Sequence, residues 1–123
     1  MIEKQQQALN EWFGDQIRAC KENQEKLYLD ERTDEANFEK IRANVYDIFR
    51  TILSVAVENG KGDREAVKRF FMEKTEKIPA NWIAAYDKAS QHGDEEQMQI
   101  ETIKLETVQE IKQKFLAVWE VSE

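Results

Sequence analysis

Only five of the 123 residues are glycine or proline: Gly14, Gly60, Gly62, Pro79 and Gly93. A sheet needs a turn every few residues, and its turns draw on those two residue types. So few breakers favour long helices with short connections. The hydrophobic pattern agrees. Phe38, Ile41, Val45, Ile48, Ile52 and Val55 recur at spacings of three and four, which places three heptads of core positions on one helix. Tyr46, Phe49, Leu53, Ala56 and Val57 widen the arc beyond a simple seam, as in a helix central to its bundle or touching a second chain.

The remaining boundaries follow from local signals. A first helix is predicted over Ile2–Leu29, with Leu9, Trp12, Phe13, Ile17 and Cys20 on its apolar stripe. Gly14 lies inside it at a cost of about 1 kcal/mol relative to alanine, which either a close helix approach or a tolerated defect would explain. Thr33 is suited to cap the second helix, and Gly60 to end it in a left-handed conformation. Asp63 is placed to cap a third helix, and Asp94 with Gln97 forms a capping-box variant before a last helix reaching about Val121. Pro79 disfavours helical geometry at Ile78 and predicts a break there. The expected fold is all-α: an antiparallel up-down-up-down helical bundle of four long helices. The third is broken at Ile78-Pro79, giving five helical segments in one domain, 1–123.

Charge and composition narrow the function. The net charge is −7, and residues 1–60 hold 8 basic and 12 acidic groups against 10 and 13 in 61–123. An acidic chain without a basic segment releases few counterions from nucleic acid and is repelled by anionic membranes. No run reaches the roughly 20 apolar residues a membrane span needs. One cysteine and a polar start lacking a signal-like apolar core give the expectation of a cytoplasmic protein.

Site chemistry is sparse. His92 stands just before Gly93, where it suits a helix end, and Cys20 falls on an apolar stripe. One His and one Cys do not make the common zinc sets, and the Glu-x-x-His spacing of di-iron bundles is missing. The loop Asp30–Ile41 lacks the glycine and glutamate of a calcium loop, and Asn59–Asp63 lacks phosphate-loop spacing. No enzyme activity, cofactor or metal is expected. The expected role is protein–protein interaction with self-association, as a homodimer. Two apolar arcs on the last helix and the excess on the second put the interface at Ile100, Ile103, Ile111, Val118, Leu53 and Val57. Two alternatives stand beside it. One is a DNA-binding regulator using the 61–92 helix pair, in which Arg64, Lys68 and Arg69 would meet the duplex. The other is a small-ligand carrier with a polar pocket near Gln16, Asn23 and Gln24, or near His92.

Overall fold

The computed structural model describes residues 2–120. Four helices follow one another: α1 (Ile2–Leu29), α2 (Thr33–Gly60), α3 (Arg64–Gln91) and α4 (Glu95–Trp119). The first three have 28 residues each and α4 has 25, so each is about 40 Å long. Their short connections stack them up, down, up and down. The predicted extension of α4 to Val121 lies outside the described residues.

The third helix is not broken. It runs from Arg64 to Gln91 with Pro79 inside it. Proline withholds one N–H and crowds the carbonyl four residues back, which costs about 3 kcal/mol in a helix interior. Val67, Phe71, Thr75 and Pro79 recur every four residues on the buried face, and Ile78 and Trp82 also pack on the core. Holding that stripe against its neighbours outweighs one lost hydrogen bond. With no turn near Pro79, the 61–92 segment forms no helix-turn-helix.

The packing is not that of a square bundle. α1 lies mainly on α2 and touches α4 only lightly, while α2 also meets α3 and α4. The pair α2–α4, opposite corners in a square bundle, therefore forms a short diagonal. This explains why both helices are apolar over so wide an arc. Their shared core includes Phe49, Leu53, Ile111 and Phe115, all at most 1% exposed. Phe71, Phe115 and Trp119 stack in series, with ring centroids 4.2 and 5.1 Å apart, and Phe49 meets Phe71 edge-on. Each such ring buries roughly 150–250 Å², so this column is a large part of the hydrophobic stabilisation. It is clamped at one end: the Trp119 indole N–H donates to the Arg64 carbonyl at 3.1 Å, and the Arg64 guanidinium donates to the Trp119 carbonyl.

Helix ends refine the expectations. Arg32, not Thr33, occupies the N-cap position of α2, and no side chain caps it; Thr33 is the first helical residue. Asp63 caps α3 through the N–H groups of Glu65 and Ala66. Asp94 accepts from the Gln97 N–H, but the Gln97 amide reaches forward to Glu101, so only half of the capping box forms. The left-handed residue after α2 is Lys61 (φ 49°), followed by Gly62 (φ 87°). Gly60 serves a different need. A Cβ there would lie 2.6 Å from Val67 Cγ2, because α2 ends hard against the start of α3. Gly14 faces open space, so no close helix approach accounts for it.

Candidate functional site

The residues that looked like the α2 core seam divide between inside and outside. Val45, Tyr46, Phe49, Leu53 and Ala56 are buried. Ile48 and Val55 are each 40% exposed, and Ile41 and Ile52 are half-buried. At 100° per residue, Ile41, Asn44, Ile48, Thr51, Ile52, Val55 and Asn59 share one sector of α2 about 100° wide. None of the seven is charged, in a chain that is 35% charged. The Thr51 hydroxyl is satisfied by the Asp47 carbonyl at 3.1 Å, and the nearest charges, Lys40, Glu58 and Asp47, stand just beyond the Thr51 edge. The strip mixes four apolar residues with Asn44, Thr51 and Asn59, and charged residues begin immediately beyond its outer edge. Charge depletion with an apolar centre is the compositional mark of protein interfaces.

The six residues expected at an interface lie elsewhere. Leu53, Ile103 and Ile111 are buried in the chain's own core. Val57 and Val118 are partly buried and pack on that core. Ile100, half-buried, lines a cleft with Phe38 and Ile41 between the starts of α2 and α4. They do not come together as one outer surface. The heptad spacing carries the signal for the strip, but the same spacing marks a buried seam equally well. What distinguishes the strip is its lack of charge.

The other candidates do not gather into one site. Asn23 is exposed and donates to Glu39 at 3.4 Å, while Gln16 and Gln24 are half-buried, and the three line no common pocket. His92 is exposed at the C-terminal cap of α3, where its backbone N–H, not its ring, makes the bonds. A cleft of about 370 Å³ opens where α1 parts from α4, with Leu27, Phe38 and Ile103 facing Glu39, Arg42 and Glu106. Arg42 already pairs with Glu39 at 3.0 Å. Deeper in the same region, burial pushes the Cys20 thiol up to about 11, with the charges of Glu39 and Glu110 adding to the effect. Burial and Glu110 likewise raise Tyr46, whose hydroxyl donates to Glu110 at 3.0 Å. A thiol held protonated is a poor nucleophile.

One buried carboxylate escaped sequence reasoning. Glu101 is 2% exposed, accepts from the Gln97 amide at 2.5 Å and lies 3.4 Å from the Lys104 ammonium. Lys104 in turn sits over the Trp82 ring, 5.6 Å from its centroid, tying α4 to α3. This unit closes on itself.

Among the described residues no three His, Cys, Asp or Glu side chains are grouped to hold a metal ion, and no helix is long and apolar enough to cross a membrane. Compared with protein-family models, curated proteins and solved structures, the chain has no match. The class defined by the geometry is thus an all-helical bundle with an uncharged face on α2.

Proposed function

We propose that this protein is a non-enzymatic interaction module of the cytoplasm, acting through protein–protein contact and associating with itself. The observation that supports the reading is the α2 strip. Isolated exposed apolar residues are ordinary, and Leu29 at a helix end or Ile83 on α3 need no explanation. Ile48 and Val55, exposed one heptad step apart with Ile41 half-buried on the same line and no charge on that face from 41 to 59, are a different matter. A solvated face of so charged a chain would carry lysines and glutamates. Because one helix face is a small interface, the association belongs to the weak, micromolar class.

Size-exclusion chromatography with light scattering tests this. The expected result is a mass rising above the 14.5 kDa of one chain as concentration increases through the micromolar range. Ile48→Glu should hold the mass at one chain while preserving helicity by circular dichroism, since Ile48 is 40% exposed. A wild-type mass fixed at one chain throughout would overturn the self-association.

A further inference from the structure

We propose that the bundle opens at one end: the half that holds turns 30–32 and 92–94 unlocks as a unit while the other half stays folded. Apolar burial is unevenly shared between the two halves. The five phenylalanine and tryptophan side chains at most 1% exposed, Phe13, Phe49, Phe71, Phe115 and Trp119, all lie toward the end where α1 and α3 begin. Beyond the level of Val45 and Pro79, the buried residues among those described are Cys20, Ala36, Ala43, Ala89, Glu101 and Ile103. Three of these are alanines and one is a carboxylate. Stabilisation by burial scales with apolar area, so this half is held more weakly than the aromatic one.

Packing thins in the same place. α1 buries no residue past Cys20. Its last turns reach α2 through polar contacts at 3.4 Å, Asn23 to Glu39 and Tyr28 to Asn37. Two clefts open here, about 370 Å³ beside Leu27 and Ile103 and about 340 Å³ beside Ile41 and Ile100, with Phe38 in the wall of both. Glu101 adds a second cause. Its burial forfeits hydration that an ammonium 3.4 Å away repays only in part, and opening returns the carboxylate to water. The aromatic half meanwhile keeps its stacked rings and the bond from the Trp119 indole to Arg64, so the four helices stay joined. Opening therefore widens both clefts and uncovers Leu27, Phe38 and Ile103 without unfolding the chain. This device is intramolecular and does not rest on association between copies.

Amide hydrogen exchange of the full chain, read by NMR at one protein concentration across low urea, tests this. Amides at 36–43 and 98–103 should exchange at least about tenfold faster, relative to their unfolded rates, than those at 49–53 and 111–115. Their opening should depend on urea with a slope about half that of global unfolding. Two variants separate the halves. Ile103→Val should speed exchange in both sets, because that side chain is released in either opening. Ile111→Val should speed only the second set, by about threefold to tenfold, because the aromatic half stays folded when the other opens. One slope and one protection shared by both sets, or an equal response of both to Ile111→Val, would overturn the proposal. So would fast exchange at 36–43 and 98–103 with no urea dependence, which marks fraying of single turns rather than a unit.

Discussion

Replacing Gly60 with alanine should destabilise the fold, although alanine is the better helix former. The added Cβ would lie 2.6 Å from Val67 Cγ2, 3.2 Å from the Val67 nitrogen and 3.6 Å from its Cα. Carbon atoms in contact prefer about 3.5–4.0 Å, so the methyl–methyl overlap is roughly 1 Å. Val67 is fully buried and has nowhere to retreat. Relief requires a rotamer change inside the core or a wider α2–α3 turn, at about 1–3 kcal/mol for overpacking. Helix propensity returns less than about 1 kcal/mol. The net loss is about 1–2 kcal/mol, or about 4–8 °C in Tm for a chain of this size. Gly14→Ala supplies the opposite sign, because open space surrounds that position; it should gain about 0.5–1 kcal/mol. Urea unfolding at one fixed protein concentration measures both, with the midpoint shifting and the slope unchanged. A Gly60→Ala chain as stable as wild type would refute the close approach of α2 and α3.

Three residues supply the further outcomes. Lys61→Gly should stabilise the chain by about 1 kcal/mol in the same urea assay, because Lys61 holds a left-handed φ of 49°. The Cys20 thiol, pushed up to about 11, should react with a thiol probe at pH 8 about a hundredfold more slowly in the native chain than in denaturant. The same shift sets a pH dependence: between about pH 9 and 11 the unfolded thiol loses its proton before the folded one, so stability falls as pH rises. Cys20→Ala should flatten that decline in urea titrations. Tyr46→Phe should cost about 1 kcal/mol, the net worth of the lost hydrogen bond to Glu110, as read from the same titrations.

The helices were legible because their ends are written locally. Asp63 marks the start of α3, and Leu29 the end of α1, at the positions expected. Pro79 points to a break because its cost is local, whereas the stripe from Val67 to Ala89 that keeps α3 continuous through it is a tertiary gain. Gly60 drew the wrong explanation for a related reason: its crowding against Val67 depends on how two helices meet, which no spacing along one chain reveals. The surplus of apolar residues on α2 and α4 suggested a partner. Most of it is absorbed where those two helices touch across the bundle, as Leu53, Ile103 and Ile111 show. Periodicity locates two neighbouring arcs on α2 and makes the heptad seam the core. Burial corrects that ranking, leaving Ile48 and Val55 outside and Phe49 and Leu53 within.

Hydroxyl-radical footprinting across a concentration series addresses the α2 surface residue by residue. On concentrating the chain through the micromolar range, oxidation of Ile48 and Val55 should fall, while Leu29, 87% exposed, and Ile83, 50% exposed, stay as reactive as before. Unchanged oxidation at Ile48 and Val55, or protection confined to Leu29 and Ile83, would contradict an interface on α2.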